Sequence, residues 1–221
     1  MIIAIDGPAG SGKTTTARKV AQSLGYFHIN TGAMYRGIAL KFIREKVNVN
    51  DTFNIVKILH NTHLDFAGLD LGVLHMDGED ISAEITSSMV NENVSRISAI
   101  SQVRIKLVEY QQKMARGKNV VLEGRDIATV VFPNADYKFF LVADIKVRAQ
   151  RRKKEMELAG EHISMEEIIL FIKNRDKKDS SRHHSPLIKA EDAIELDTTE
   201  LTIDEQVNFI INIVNYNKKG A

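Results

Sequence analysis

The chain has 221 residues, and its 30 basic side chains almost balance 29 acidic ones, so the formal net charge is +1. A chain with so small a net charge has no overall electrostatic attraction to polyanions. We therefore expect neither nucleic acid nor a membrane surface as a partner. The length allows a sizeable core in one domain with small insertions, and no apolar stretch reaches transmembrane length. The absence of cysteine excludes disulfides and thiolate metal sites and fits a reducing compartment, so we expect a cytoplasmic protein.

The start of the chain predicts a phosphate-binding loop between a strand and a helix. The apolar run Ile2-Ile-Ala-Ile5 predicts a buried parallel strand over residues 2–6, which leads into the pattern G-x-x-x-x-G-K-[ST]. Its glycines permit the backbone to turn amides toward phosphate oxygens, Lys13 reaches the β- and γ-phosphates, and Thr14 offers a hydroxyl to Mg²⁺. The residues predicted to hold the phosphates of ATP are Gly7, Pro8, Ala9, Gly10, Ser11, Gly12, Lys13, Thr14 and Thr15.

Residues 26–30 predict a second short strand, and Thr31 opens a helix that carries Arg36. From spacing alone, Thr31 has the alternative role of a helix cap, and Arg36 that of a solvated helix residue. A further amphipathic helix is predicted over residues 51–62. The apolar side chains that we expect to face inward on this helix are Phe53, Val56 and Leu59.

The next region consists of short alternating runs. Residues 64–66 and 73–76 are two such runs, and Asp77-Gly78 separates the second from a third at 79–81. Asp-Gly between alternating runs is typical of a tight hairpin turn, and hairpins are antiparallel. Because the surrounding units resemble parallel βα units, we expect this piece to be a small insertion outside the main sheet.

A second polar motif stands where another buried strand ends. Residues 119–122 are a short apolar run, and Glu123-Gly-Arg125-Asp126 follows directly. Open parallel sheets bind ligands beyond the carboxyl ends of their strands, so Glu123 is a candidate ligand for a metal or a water molecule. The alternative for Glu123 and Asp126 is an ion pair with Arg125 or a helix cap.

Two later helices carry clusters of charge, and strands predicted at 137–143 and 193–196 bring the parallel sheet to five. The helix predicted after Asp144 has a basic second half, and such a run of charges usually lies in solvent. The helix after Ser164 continues an apolar stripe, at steps of three and four residues, into Arg175, Asp179 and Arg182. Unpaired charges are costly to bury, so this stripe either reaches solvent or borders a cleft that holds an anion; Arg/Asp pairing within the helix is the alternative.

Together these motifs resemble the bacterial cytidylate kinase family, from about residue 2 to about residue 214. The resemblance is carried by the phosphate loop, Thr31-Gly-Ala-Met-Tyr-Arg36, Glu123-Gly-Arg-Asp126 followed by Ile-Ala-Thr-Val-Val-Phe-Pro, Arg175-Asp-x-x-Asp179-x-x-Arg182, and Pro186-Leu187 with Asp197-Thr-Thr. It implies an α/β P-loop NTPase fold of three layers, in which helices flank a five-stranded parallel sheet. It also implies three parts, namely a core at 1–30, 107–147 and 164–221, an inserted nucleoside-monophosphate-binding region with the small β insertion at 31–106, and a short lid at 148–163.

The resemblance further implies an enzyme that transfers the γ-phosphoryl group of ATP to CMP or dCMP with Mg²⁺, and we expect a monomer that acts on small-molecule nucleotides. The substrate-binding residues that it implies are Thr31, Tyr35, Arg36, Ser95, Arg104, Arg125, Asp126, Arg175, Asp179 and Arg182. The implied catalytic residues are Lys13, Arg125, Arg151, Arg152 and Arg182, with Arg148 as another candidate from the lid. Thr14 and Glu123 are the implied metal ligands.

Two other classes of function remain open from the sequence. A different small-molecule P-loop kinase would share the phosphate loop but differ in its acceptor residues. A nucleotide-driven switch or nucleic-acid-handling ATPase would need a guanine motif or a coherent basic surface, and the sequence offers neither.

Overall fold

The computed structural model describes residues 1–67, 73–158, 160 and 162–218. In chain order, the strands are β1 (Ile2–Asp6), β2 (Phe27–Asn30), β3 (Leu64–Ala67), β4 (Val73–Met76), β5 (Glu79–Asp80), β6 (Val120–Gly124), β7 (Tyr137–Val142) and β8 (Ile194–Asp197). The helices are α1 (Lys13–Leu24), α2 (Thr31–Arg44), α3 (Thr52–Asn61), α4 (Ser88–Ile97), α5 (Ser101–Ala115), α6 (Ile145–Leu158), α7 (Met165–Ser180) and α8 (Ile203–Lys218). A 3₁₀ turn at Glu84–Thr86 and a π-helical turn at Ile127–Val131 complete the regular structure of the described residues.

Five strands form a parallel sheet in the order β2-β6-β1-β7-β8, which confirms the predicted α/β fold. The central strand β1 is apolar without alternation because both of its faces are covered, and Ile3, Ala4 and Ile5 are fully buried. Since all five strands run the same way, their carboxyl ends lie at one edge of the sheet. The phosphate loop and the acidic end of β6 both lie there.

Three hydrophobic clusters hold the helices in place. The largest packs α2 to α5 against one face of the sheet, and the second packs α1 and α8 against the other, with alternate residues of β1 contributing to each. The third cluster is small and joins α6 and α7 to the phosphate loop through Ala9, Ala149 and Ile168. The layers are therefore helix, sheet and helix, with α6 and α7 resting on the loop itself.

The predicted insertion outside the main sheet is confirmed. Strands β3, β4 and β5 form a separate antiparallel sheet, and the turn between β4 and β5 is Asp77-Gly78. Both turn residues have positive φ, 56° at Asp77 and 87° at Gly78, as a tight hairpin turn between twisted strands requires.

The predicted inward face of α3 is confirmed for Leu59 and wrong for Phe53 and Val56. Phe53 is 82% exposed and Val56 is 50% exposed, whereas Ile55, Ile58 and Leu59 are buried. The helix carries apolar side chains on more than one face, so spacing alone permits two rotations about its axis. Packing against α5 selects the rotation that buries Ile55.

No helix among the described residues is both long and apolar enough to cross a membrane.

Candidate active site

The phosphate loop connects β1 to α1 in a shape that needs glycine. Gly7 has φ 151°, and a Cβ at that position would lie 2.2 Å from the carbonyl oxygen of Leu141. Gly12 is the left-handed N-cap of α1, with φ 88°, and its side-chain-free backbone opens the helix N-terminus toward the cleft. Lys13 folds back over the loop, where its Nζ donates to the carbonyl oxygen of Pro8 at 2.7 Å and lies 3.4 Å from Ser11 Oγ.

Lys13 is buried beneath the loop, and its surroundings disfavour its charge. Burial, and secondarily the nearby guanidinium group of Arg125, lowers the pKa of Lys13 to about 7. Glu123 and Asp6 offset part of this effect. An anion bound in the loop would supply the missing negative charge, so the site is organised for a polyphosphate.

A cleft of about 400 Å³ extends from the phosphate loop along the carboxyl edge of the sheet. Eight cationic side chains of the described residues line it, against four acidic ones, although the whole chain carries a net charge of only +1. The cationic residues are Lys13, Arg36, Arg104, Arg125, Arg151, Arg152, Arg175 and Arg182, and the acidic residues are Glu123, Asp126, Glu155 and Asp179. This local excess of positive charge fits a ligand that carries several phosphate groups.

Glu123 links the phosphate loop to the start of α2. Thr14 Oγ1 donates to Glu123 Oε1 at 2.8 Å, and Thr31 Oγ1 donates to the Glu123 backbone oxygen at 2.8 Å. The capping role considered for Thr31 is wrong, because Asn30 caps α2 by accepting from the Ala33 amide at 2.9 Å. Thr31 is instead the first residue of α2 and faces the cleft. Arg36, one turn later, also lines the cleft, and burial lowers its pKa, so the solvated alternative for Arg36 is wrong as well.

A buried ion pair lies at the end of the cleft away from the phosphate loop. Arg104 Nη2 pairs with Asp126 Oδ2, and both side chains are almost fully buried. Arg104 Nη1 also donates to the carbonyl oxygen of Ser98 at 3.1 Å, and its guanidinium group lies 5.2 Å from the ring centroid of Tyr35. The sequence left open an ion pair of Arg125 with Asp126 or Glu123. That alternative is wrong, because Arg125 pairs with Asp179. A carboxylate held rigidly in a pocket beside an aromatic ring can recognise a base edge.

The predicted ionic stripe lies between the two ends, with Arg175 and Asp179 on α7 and Arg182 two residues beyond the end of that helix. Arg125 Nε donates to Asp179 Oδ2 at 2.9 Å, and Arg182 Nη2 donates both to Asp179 Oδ1 and to Ser98 Oγ, the latter at 3.1 Å. Burial alone would raise the pKa of Asp179, but the guanidinium groups around it lower that pKa below its ordinary value. The pairing of Asp179 with Arg182 considered from the sequence does exist, and yet both residues also line the cleft.

Arg175 lies beside this network without joining it. Burial is the main reason that its pKa falls to about 10, and its buried Nε has no hydrogen-bond partner among the described residues. An unsatisfied buried donor costs about 1–3 kcal/mol, which an acceptor oxygen on a bound ligand would recover.

The three arginines of α6 have different roles. Arg151 donates to the Thr198 carbonyl oxygen at 2.6 Å and to Thr198 Oγ1 at 3.0 Å, and Arg152 pairs with Glu155 at 3.0 Å. Arg148 turns away from the cleft: it donates to the carbonyl oxygens of Ala9 and Ala143 at 3.1 Å each and pairs with Asp176. Arg148 thus braces the phosphate loop, whereas Arg151 and Arg152 line the cleft.

Most of the predicted site residues meet in this cleft. The exceptions are Gly7, Pro8, Ser11 and Ser95, which do not line it. Ser95 lies on α4, where its carbonyl oxygen accepts from Ser98 Oγ at 3.2 Å. Ser98, the residue directly after the end of α4, lines the cleft instead. The lining residues that were not among the predicted site residues are Asn30, Gly32, Val94, Ser98, Gly124, Glu155, Phe171, Ile172 and Ile203.

Comparison with known proteins agrees with this geometry. A family model described as cytidylate kinase matches residues 3–216. A cytidylate kinase of Caldanaerobacter subterraneus is 46% identical over 99% of this chain and 96% of the relative, and one of Fusobacterium nucleatum is 47% identical over 95% of each. The crystal structure of an uncharacterized protein from Eubacterium ventriosum shares the fold alone, with a TM-score of 0.54, 14% identity and 98% of both chains covered. The chain belongs to the cytidylate kinase family.

Proposed function

We propose that this enzyme transfers the γ-phosphoryl group of ATP to CMP, giving ADP and CDP, and that it also accepts dCMP. The observation that carries the proposal is one cleft with a phosphate loop at one end, the buried Arg104–Asp126 pair at the other, and arginines between them. Membership of the cytidylate kinase family supports the same reaction.

ATP binds with its phosphates in the loop formed by residues 7–15, where backbone amides, the N-terminus of α1 and Lys13 face the β- and γ-phosphates. Thr14 and Glu123 are the proposed Mg²⁺ ligands. Their side-chain oxygens lie 2.8 Å apart, and a hydroxyl and a carboxylate are hard oxygen donors of the kind that Mg²⁺ prefers. When bound, Mg²⁺ would neutralise charge on the β- and γ-phosphate oxygens.

CMP binds at the opposite end of the cleft. Arg104 occupies one oxygen of Asp126, so the other can accept a hydrogen bond from the exocyclic amine of cytosine, as acidic side chains do when they recognise this base. Thr31, Arg36, Arg125 and Arg182 hold the acceptor phosphate and the nearby sugar. The remaining acceptor residues in this proposal are Tyr35, Arg175 and Asp179. Ser95 does not line the cleft, so its proposed role is indirect, through the hydrogen bond that its carbonyl oxygen accepts from Ser98 Oγ.

The chemistry then requires positioning and charge neutralisation. The attacking atom is an oxygen of the CMP phosphate, which is already ionised at neutral pH, so the chain does not have to supply a strong general base. Lys13, Arg125 and Arg182, with Arg151 and Arg152 from α6, surround the transferring group and stabilise its negative charge. Closure of the lid over the cleft would exclude water, which otherwise competes as the acceptor.

The enzyme divides into a core (1–30, 107–147 and 164–221), a nucleoside-monophosphate-binding region (31–106) and a lid (148–163), of which positions 159 and 161 lie outside the described residues. Two hydrophobic clusters support the first two units, since one draws most of its buried residues from 31–106 and another lies entirely within the core. The lid packs on the core through Ala149, which contacts a small cluster with Ala9, Ile168 and Ile172. We expect the enzyme to act as a monomer on small-molecule nucleotides. The lack of cysteine fits a cytoplasmic location, and the net charge of +1 gives no general attraction to nucleic acid.

A coupled assay of ATP consumption tests the proposal with CMP, dCMP, UMP, AMP, GMP and shikimate as acceptors. CMP should give the highest kcat/KM, dCMP should be used, and ATP consumption without an acceptor should be much slower. Lys13→Ala should abolish transfer, whereas the matched control Lys19→Ala should not, because Lys19 is on the same helix but forms an exposed ion pair with Asp204. Preference for another acceptor, or full activity of Lys13→Ala, would refute the proposal.

A further inference from the structure

The last residue of β1, Asp6, places a buried carboxylate between the phosphate loop and the segment that follows Asp126. Its side chain is only 1% exposed. Oδ1 accepts from the backbone amide of Ile127 at 2.9 Å, and Oδ2 accepts from that of Ala128 at 2.8 Å. These two amides come directly after Asp126, and Asp6 itself comes directly before Gly7 of the phosphate loop.

The carboxylate of Asp6 is costly to keep at this position. Burial raises the pKa of Asp6 to about 6, even though both backbone hydrogen bonds lower it. No ion pair joins Asp6 to a cation among the described residues, so it is not half of a salt bridge. Only a group with two acceptor oxygens satisfies both amides, because an asparagine side chain would accept from one amide and direct an N–H group at the other.

The two amides belong to the segment that sets the direction of Asp126. Asp126 precedes the π-helical turn Ile127–Val131, and its own side chain does not cap that turn. The sheet places Asp6 opposite Gly124 on β6, so the side chain of Asp6 reaches past the acidic end of β6 to the residues that follow it. One rigid contact therefore joins the end of the phosphate-loop strand to the backbone that carries the base-binding carboxylate.

We propose that Asp6 is a positioning residue, which holds the Asp126 loop at a set distance from the phosphate loop and so sets the preference for cytosine. This inference rests on the proposed function, in which Asp126 recognises the base and residues 7–15 bind ATP. Misplacement of a binding group by about 1 Å can reduce catalysis about 100-fold. The effect of losing Asp6 should therefore appear in acceptor use and not in ATP binding alone.

The simplest opposing explanation is that Asp6 only stabilises the fold. The chain offers a matched control at the other end of the same strand, where Asp136 Oδ2 accepts from the backbone amide of Ile2 at 2.6 Å. Asp136 also joins β1 to a later segment through a carboxylate-to-amide hydrogen bond, but it lies away from the cleft. An asparagine at position 136 can still accept from this single amide but without charge assistance, so Asp136→Asn should lower the melting temperature slightly and leave the CMP/UMP ratio of kcat/KM unchanged.

The experiment measures the melting temperature, the KM for ATP, and kcat/KM for CMP and UMP in the wild type and in Asp6→Asn, Asp6→Glu, Asp126→Asn and Asp136→Asn. For Asp6→Asn we expect kcat/KM for CMP to fall about 10- to 100-fold, which corresponds to one charge-assisted hydrogen bond and a displaced loop. The CMP/UMP ratio should fall at least about fivefold, as a partial loss of one base contact, while the KM for ATP changes less than about threefold. Asp6→Glu keeps the charge but moves the carboxylate by one methylene group, so it should also lower the CMP/UMP ratio of kcat/KM. If Asp6→Asn does not fold, Asp6→Glu alone tests the positioning role.

An unchanged CMP/UMP ratio in the Asp6 variants, with only a lower melting temperature as in Asp136→Asn, would overturn the inference. Asp126→Asn separates this result from a failure of the proposed function. If Asp126→Asn lowers the ratio and the Asp6 variants do not, only the positioning role is wrong. If Asp126→Asn leaves the ratio unchanged, base recognition by Asp126 is wrong and the inference about Asp6 falls with it.

Discussion

Binding of ATP should be accompanied by proton uptake at Lys13. In the empty enzyme, burial and then Arg125 lower the pKa of Lys13 from 10.5 to about 7. Between pH 7 and 10.5 the unfolded chain therefore binds more protons than the folded one, so this lysine makes the empty enzyme more stable as the pH rises through that interval. At pH 8, about nine in ten folded molecules would hold Lys13 uncharged.

The triphosphate of bound ATP should favour the charged form of Lys13, because it places several negative charges next to the ammonium group. The pKa of Lys13 should then rise well above 8, and the enzyme should take up close to one proton per ATP at pH 8 and about half a proton at pH 7. Asp6, whose pKa is about 6, is ionised before and after binding at pH 8 and adds little to the count. Calorimetric titration with ATP in buffers of different ionisation enthalpy gives the number of protons from the slope.

Lys13→Arg is the matched control, since a guanidinium group stays charged in the empty loop. Its titration should show almost no proton uptake at pH 8, while any protons that come from ATP itself remain the same as in the wild type. Equal uptake in the wild type and in Lys13→Arg would refute the reasoning. So would a wild-type uptake below about 0.2 proton at pH 8, because Lys13 would then be charged before ATP arrives.

Three other substitutions test separate parts of the cleft. Arg182→Ala should lower kcat/KM for CMP about 10- to 150-fold and spare the KM for ATP, because a charge-assisted contact is worth about 1.5–3 kcal/mol; a purely thermal defect would leave Arg182 with a bracing role. Asp126→Asn should reduce the preference for CMP over UMP by about 1–3 kcal/mol, and kinetics with both nucleotides measure it. Asp176→Asn should raise the KM for ATP more than that for CMP, because Asp176 accepts from the Ala9 amide at 3.2 Å and pairs with Arg148. Equal changes in the two KM values would contradict this role for Asp176.

Features that depend on a few neighbouring residues could be predicted from the sequence. The phosphate loop is one, since the positive φ of Gly7 and Gly12 is a property of glycine at those positions. The capping box at Ser164 and Glu167 and the Asp77-Gly78 turn are others, because their hydrogen bonds or dihedral angles involve residues at most three apart. The inner strands β1 and β6 followed from their apolar runs, whereas the edge strands β2 and β8 carry polar residues and are weaker signals.

The resemblance to a known family extended the prediction to the acceptor site. It identified Arg104, Asp126 and Arg182, which the structure brings to one cleft although they lie far apart in the chain. It did not identify Ser98, whose carbonyl oxygen and hydroxyl group bind Arg104 and Arg182. Ser98 belongs to no motif, and its position depends on where α4 ends and how α5 packs.

The sequence by itself therefore determined the order of elements, the phosphate loop and the kind of charge at the site, because short-range backbone preferences and apolar patterns encode them. Only the tertiary structure decided which charged side chains form ion pairs or hydrogen bonds with one another. Asp179 pairs with Arg125 across 54 positions, and Asp6 binds amides more than 120 positions away. The tertiary structure also decided which face of α3 is buried, and that Arg148 braces the phosphate loop whereas Arg151 lines the cleft. Such contacts depend on strand order and helix rotation, which result from the packing of the whole core and leave no signal in the local spacing of residues.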